Sequence, residues 1–127
     1  MEHKILYNSL CTYFSLFKGY VREFTIEGSK VLGVVKWDGE RDKQPFSWQP
    51  VPDESVLLII QRLSQYLIDN NLLHGDRIVI SKMELQDRLS ALGWGPDEAV
   101  KNIEYLTSMR VHMVDEGEET DFFFVHF

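Results

Sequence analysis

Two histidines and an aspartate near the C-terminal end are the residues that most resemble a metal-binding group. His112 and His126 lie on two segments that we expect to form neighbouring strands, with Asp121 between them in the sequence. Imidazole nitrogens and carboxylate oxygens are ligands that zinc accepts. Solvent-exposed strand positions explain the same residues, and two histidines alone do not make a zinc ligand set. We therefore predict that the protein binds no metal.

The sequence carries no motif of a known catalytic chemistry. It has no phosphate-binding glycine loop, no Gly-x-Ser-x-Gly, no His-Glu-x-x-His and no paired cysteines. The single cysteine, Cys11, lies between aromatic residues on a predicted helix, which favours a buried and unreactive thiol. We therefore predict a protein that is not an enzyme and that uses no cofactor.

Acidic residues are concentrated at one predicted turn, between strands at residues 111–114 and 121–127. The acids of this turn are Asp115, Glu116, Glu118 and Glu119. Residues 1–51 carry seven Lys or Arg and six Asp or Glu, a net charge of +1, whereas residues 52–127 carry six and fourteen, a net charge of −8. Together they give the −7 of the whole chain. An acidic surface of this kind repels phosphate backbones and favours a basic protein partner, although it also serves solubility.

The elements of the first half are a helix and a hairpin. Apolar residues at helical spacing predict a helix over residues 4–18, ended by Gly19. Residues 20–26 alternate in the manner of a strand, and Gly28-Ser29 can form a two-residue turn into a second strand over residues 30–37. Residues 38–52 contain three prolines and are predicted as a linker, in which Phe46 and Trp48 pack on a flanking unit.

The second half contains three predicted helices. Asp53 is a candidate N-cap for a helix that continues to about residue 73, and a short apolar strand follows at residues 77–80. Ser81 and Glu84 have the spacing of a capping box at the start of the next helix. Pro96 opens the last helix, which ends near Arg110. The chain is therefore predicted to be α+β, with an N-terminal unit at residues 1–51 and a second unit at residues 52–127.

The second unit resembles the winged-helix superfamily. The resemblance rests on the element order helix, strand, helix, helix, strand, strand over about residues 55–127, and no specific family is indicated. It implies a fold in which residues 96–110 form the helix that would enter a DNA major groove. Lys101, Asn102 and Arg110 are then the candidate DNA contacts, on a helix face that also carries acids.

The second unusual feature is the aromatic C-terminal segment, residues 121–127. Its phenylalanines alternate between the two faces of a strand, and both faces cannot be covered by a single small core. The N-terminal unit could cover one face, or a second copy of the chain could do so. The candidate interface residues are Phe122, Phe123, Phe124 and Phe127.

These observations lead to three functional hypotheses. We favour a non-catalytic protein-interaction module, dimeric and with an acidic wing. The alternative is a DNA-binding transcriptional regulator, which the acidic wing and acidic helix disfavour. The third is a small-molecule sensor with a pocket near Trp37, Trp48 and Trp94. The chain has no apolar run of about 18 residues and no signal peptide, so we expect a cytoplasmic protein without a membrane partner.

Overall fold

The computed structural model describes residues 2–39, 43–115 and 117–127. Within these ranges it does not describe six side chains, those of Glu2, His3, Asp115, Glu119, Thr120 and Asp121. The architecture is α+β, as the sequence predicts. The helices and strands, in chain order, are α1 (Glu2–Ser15), β1 (Gly19–Glu27), β2 (Lys30–Trp37), β3 (Gln44–Trp48), α2 (Glu54–Asp69), β4 (Leu73–His74), β5 (Arg77–Ile78), α3 (Lys82–Ala91), α4 (Pro96–Ser108), β6 (Val111–Asp115) and β7 (Glu118–Phe123).

A five-stranded antiparallel sheet joins the two halves of the chain. The strand order is β1-β2-β3-β6-β7, so β3 connects the N-terminal hairpin to the C-terminal one. This strand lies within the segment predicted as a linker. Its residues Phe46 and Trp48 are buried, as expected from their type. Pro45 is tolerated near the start of β3 because β6 pairs only with Phe46 and Ser47.

The predicted end of the first helix is wrong by three residues. α1 ends at Ser15, and the residue in the left-handed conformation is Lys18, with φ 61°. Gly19 does not end the helix but is the first residue of β1. A Cβ atom there would lie 2.9 Å from both Trp37 Cζ3 and Val35 Cγ2. Glycine at this position therefore lets the indole of Trp37 lie against the backbone of β1.

The N-terminal hairpin turns where the sequence predicts, but one bulge changes its faces. Glu27 pairs with Lys30 across the Gly28-Ser29 turn, and Gly28 has φ 65°. The register shifts between Val21 and Glu23, so Arg22 is the extra residue of a β-bulge. Simple alternation predicts that Val21 and Phe24 face opposite ways. Because the bulge adds one residue between them, Val21 and Phe24 face the same way, and both contact the core.

The predicted helix starts of the second half are confirmed. Asp53 accepts a hydrogen bond from the Val56 N–H at 3.2 Å, and Ser81 Oγ accepts one from the Glu84 N–H at 3.1 Å. The reciprocal half of the capping box is replaced by an ion pair, because Glu84 binds Arg88 at 2.6 Å. These caps fix where α2 and α3 begin.

The short strand after α2 is held by the C-terminal residues. β5 pairs with β4, and Arg77 forms a parallel bridge with His126. The Ile78 N–H donates to the His126 carbonyl at 2.7 Å, and the His126 N–H donates to the Asp76 carbonyl at 3.0 Å. The predicted C-terminal strand is therefore shorter than expected. β7 ends at Phe123, and the last residues turn to meet β5.

One hydrophobic core spans the region between the helices and one face of the large sheet. It includes α1 residues such as Phe14, β3 residues such as Phe46, and α4 residues such as Ile103. α1 contacts both α2 and β1, and α4 contacts α2 and α3. Over the described residues, every helix lacks either the length or the hydropathy that a bilayer crossing requires.

Candidate functional site

The phenylalanines of the C-terminal segment divide between the two faces of the sheet. Phe123 pairs with Val111 and packs on Phe17, Phe14 and Trp37, at ring-centroid distances of 5.2, 6.4 and 4.8 Å. Phe127 is also packed partly against the core. Phe123 and Phe127 therefore pack in part on the core of the chain itself, and their role in an interface stays a prediction.

Phe122 and Phe124 lie away from the core. With His112 and His126 they form a row of four rings, with successive centroids 6.0, 5.6 and 5.1 Å apart in the order His112, Phe122, Phe124, His126. The guanidinium carbon of Arg110 lies 4.2 Å from the Phe124 ring centroid and 5.5 Å from that of Phe122. The side chain of Phe122 is 42% exposed.

This row also separates the two histidines that could have shared a metal ion. Phe122 and Phe124 stand between His112 and His126, and the imidazole of His126 instead lies 3.2 Å from an Asp76 carboxylate oxygen. Among the described residues, no group of three or more His, Cys, Asp or Glu is arranged to hold a metal. The side chain of Asp121, the third residue of the zinc hypothesis, lies outside the described part.

The three candidate DNA contacts have different environments. Lys101 is exposed on α4, beside the exposed acids Asp97 and Glu98. Asn102 was expected on the outward face, but it is only 7% exposed and faces the helical core. The reason is helical spacing, since Asn102 lies three residues after Ala99 and four before Leu106, both buried.

Arg110, the third candidate, already makes several contacts within the protein. Its Nη1 donates to the carbonyl oxygens of Thr107 at 2.8 Å and Met109 at 3.1 Å. Together with the two phenylalanine rings, these bonds hold the guanidinium at the C-terminal end of α4.

The acidic wing is described only in part. The β6–β7 hairpin forms as predicted, with Asp115 paired to Glu118 and Gly117 at φ 85°. Glu118 is exposed. Glu116 and the side chains of Asp115 and Glu119 lie outside the described residues, so partner steering by the wing stays a prediction.

The second face of the large sheet carries apolar residues that no described helix covers. Val31, Val35 and Trp37 point from β2 into the core, so the alternate residues Leu32 and Val34 point to the opposite face. Val114 on β6 shares that face, since its neighbour Met113 is buried in the core. All three are half-buried and lie outside the core cluster. The residues that define this outer face are Leu32, Val34, Pro45, His112, Val114 and Phe122; Ser47, which alternation also places there, is buried.

Sequence reasoning missed this outer face, although a signal was present. Val31-Leu32-Gly33-Val34-Val35 has apolar residues at successive positions, which is the pattern of a strand with two apolar faces.

The three tryptophans of the small-molecule hypothesis border three different grooves. Trp37 lines a groove of about 670 Å³ beside Phe17 and Phe123. Trp48 lines one of about 380 Å³ beside Tyr105 and Arg110. Trp94 lines one of about 310 Å³, and the Arg62 guanidinium lies 5.0 Å above its ring. Among the described residues, the three tryptophans therefore line three separate grooves.

Cys11 is less buried than the sequence predicts. It is half-buried on α1, and burial raises the pKa of its thiol, although a hydrogen bond with Tyr7 acts in the opposite direction. The neutral thiol is the less nucleophilic form.

Comparison of the chain with protein-family models, with curated proteins and with solved structures finds no match.

Proposed function

We propose that the protein is a non-catalytic interaction module that associates with a second copy of itself through the outer face of its five-stranded sheet. The observation that carries this proposal is the set of half-buried apolar residues there, Leu32, Val34 and Val114, together with the 42% exposed Phe122. Contiguous apolar surface with a polar rim is typical of protein-binding surfaces.

The charges beside the apolar residues favour a second copy as the partner. β1 presents Glu23 and β2 presents Lys36 on the same outer face, and both side chains are exposed. When two such faces meet about a two-fold axis, the acidic strand of one copy can approach the basic strand of the other. This arrangement is self-complementary and requires no second protein.

The size of the face predicts how strong the association is. Five strands spaced about 4.8 Å apart and about 17 to 20 Å long give a flat area of roughly 400 to 500 Å². A standard interface buries about 800 Å² on each partner. We therefore expect dimerisation that depends on protein concentration. The single cysteine fits a reducing compartment, which supports placing this dimer in the cytoplasm.

We also propose that the second unit is of winged-helix type and that its acidic wing binds a basic protein. An acidic wing would then steer a basic protein towards the dimer. DNA binding is less favoured, since Asn102 is buried and Arg110 is bonded within the protein. Because the affinity of a protein for DNA falls steeply as salt is added, measuring DNA binding at several salt concentrations distinguishes a DNA-binding protein from a protein-interaction module.

The test is light scattering after size exclusion over a range of concentrations, on the wild type and on Val34→Lys. Val34 pairs with Glu23, so the new ammonium has a neighbouring carboxylate and the fold is expected to survive. The matched control is Met83→Lys, at a 72% exposed position on α3. We expect Val34→Lys to be monomeric wherever the wild type and the control dimerise. A wild type that stays monomeric at millimolar concentration contradicts the proposal.

A further inference from the structure

We infer that the groove beside Arg110 is a binding site for a small carboxylate that carries an apolar body. The groove, of about 380 Å³, lies between β3, the loop after it and the end of α4. Its volume is within the usual range for sites that hold small molecules. The groove borders the proposed dimer face and shares His112 with it, but ligand binding and dimerisation are measured separately and can fail separately.

Arg110 is half-buried, and among the described residues no carboxylate lies within ion-pair distance of it. Charged groups that leave water are ordinarily paired with an opposite charge. In a chain with twenty acidic residues and a net charge of −7, a half-buried arginine without a described acidic partner points to an anion from outside.

The side chain of Arg110 is already oriented. Nη1 donates to the carbonyl oxygens of Thr107 and Met109, while the ring of Phe124 lies 4.2 Å from the guanidinium carbon. No described residue accepts a hydrogen bond from Nε–H or Nη2–H, and these two groups have the side-by-side geometry that binds both oxygens of a carboxylate. Since the side chain is held before the ligand arrives, little conformational entropy is lost on binding.

The wall of the groove suits an anion, because none of its lining residues is acidic. Four of its side chains can donate a hydrogen bond to a ligand: Gln49, Tyr105, Arg110 and His112. The Ser108 hydroxyl already donates to the Tyr105 carbonyl oxygen at 3.1 Å. Burial raises the pKa of Tyr105, and the charge of Asp53 adds to the effect, so the phenol stays protonated as a donor. Asp53 itself is occupied as the N-cap of α2, by Ser55 and the Val56 N–H.

The apolar side of the wall determines the rest of the ligand. The groove is also lined by Trp48, Pro50, Pro52 and Met109. Aromatic and proline side chains offer flat surfaces that suit a ring or a branched chain. The negative end of the α4 dipole opposes an anion, but Arg110 binds two of the terminal carbonyl oxygens and offsets it.

The test compares three ligands that share one apolar body and differ in charge: phenylacetate, 2-phenylethanol and 2-phenylethylammonium. Binding is measured by amide and side-chain NMR shifts, with the Trp48 Nε1–H and the Arg110 Nε–H as reporters. We expect phenylacetate to bind at these reporters roughly tenfold or more tightly than the alcohol, because hydrogen bonds to a charged partner are the stronger ones. The ammonium ligand is expected not to bind. Equal binding of the alcohol, or shifts confined to other surfaces, overturns the inference.

Two variants and one control locate the carboxylate. Arg110→Lys keeps the charge but loses the paired donors, and Arg110→Met loses both. We expect binding to weaken in that order, down to the level of the alcohol for Arg110→Met. The control is Arg62→Met, which removes the arginine over Trp94 in a groove that contains Asp69. An effect of Arg62→Met equal to that of Arg110→Met contradicts the assignment.

A further pair of ligands distinguishes two sources of the same chemistry. A short peptide ending in phenylalanine is tested with a free C-terminal carboxylate and with an amidated end. If the free-acid peptide binds more tightly than phenylacetate, the natural ligand is a chain terminus, and if it binds more weakly, the ligand is a free metabolite. In both cases the amidated peptide is expected to bind more weakly than the free acid, and equal binding of the two peptides contradicts the inference. Inorganic phosphate that displaces phenylacetate with equal affinity would show a general anion site and would contradict the apolar part of the inference.

Discussion

The ring of Phe123 stacks on the ring of Phe17, with centroids 5.2 Å apart and an angle of 27° between their planes. This contact joins β7 to the segment after α1, so the first and last parts of the chain pack against each other at the core. It also gives neighbouring phenylalanines opposite roles. Phe123 stabilises the fold, while Phe122 lies on the outer face of the sheet.

We expect Phe123→Ala to lower the free energy of unfolding by about 2 to 3 kcal/mol, somewhat less than for a fully buried phenylalanine. Phe122→Ala is the matched control and is expected to cost less than about 1 kcal/mol, since much of its ring is already exposed. Denaturant titration at a protein concentration that keeps both variants monomeric measures the difference. Equal losses in the two variants would mean that Phe123 is not a core residue.

Gly33 is required by close approach to its neighbours on both sides. A Cβ atom at this position would collide with the Glu23 carbonyl oxygen and would lie 2.6 Å from Phe46 Cζ. We expect Gly33→Ala to destabilise the protein by about 1 to 3 kcal/mol through overpacking. Gly95→Ala is the control, because a Cβ there meets its nearest atom at 3.8 Å; its cost is limited to replacing the glycine N-cap of α4 by the less favourable alanine, about 0.5 kcal/mol. Thermal unfolding that ranks Gly95→Ala as the more damaging change would refute this account of β2.

Tyr13 is fully buried, and among the described residues its hydroxyl has no hydrogen-bond partner. Burial raises the pKa of Tyr13 strongly, with the charge of Arg110 acting in the other direction. The folded state therefore holds this proton more tightly than the unfolded state does. It follows that stability is intact below the ordinary tyrosine pKa of about 10 and is lost as the pH rises above it.

The substitution Tyr13→Phe tests this description. Removing an unsatisfied buried hydroxyl is expected to leave stability at neutral pH unchanged or about 1 kcal/mol higher. At alkaline pH the variant is expected to lose less stability than the wild type. Urea unfolding at several pH values checks both statements. A variant that is clearly less stable at neutral pH would reveal a hydrogen bond that the Tyr13 hydroxyl makes.

Cys11 should react slowly with thiol reagents. Since burial raises the pKa of its thiol, less thiolate is present at neutral pH than in an unfolded cysteine. We expect alkylation by iodoacetamide to be slower in the folded protein than in urea, with the rate rising at a higher pH. Mass spectrometry of timed samples measures it. A folded protein that reacts as fast as the unfolded chain would show that Cys11 is accessible and activated.

Local chemistry made the helix starts predictable from the sequence. Asp53, Ser81 and Pro96 act on backbone groups within one turn of themselves, so the residues alone indicate where α2, α3 and α4 begin. The Gly28-Ser29 turn is equally local. The predicted α+β class followed from these signals together.

The sheet that builds the candidate surface depends on contacts distant in sequence. Phe46 pairs with Met113 across 67 positions, and no property of the segment around Pro45 indicates which strand it will meet. The burial of Asn102 was missed for a related reason, because the polarity of a residue is outweighed by its place on the inner stripe of α4. The outer face could be recognised only once β3 had joined the two hairpins.

The most direct test of self-association is an isotope-filtered NMR experiment on a mixed sample. One half of the protein carries ¹³C-labelled Leu and Val methyl groups, and the other half is unlabelled. The account predicts intermolecular contacts at the methyls of Leu32, Val34 and Val114, growing with concentration and absent in Val34→Lys. Intermolecular contacts confined to Leu58 or Val79, which are exposed elsewhere on the surface, or none at concentrations where scattering shows a dimer, would contradict it.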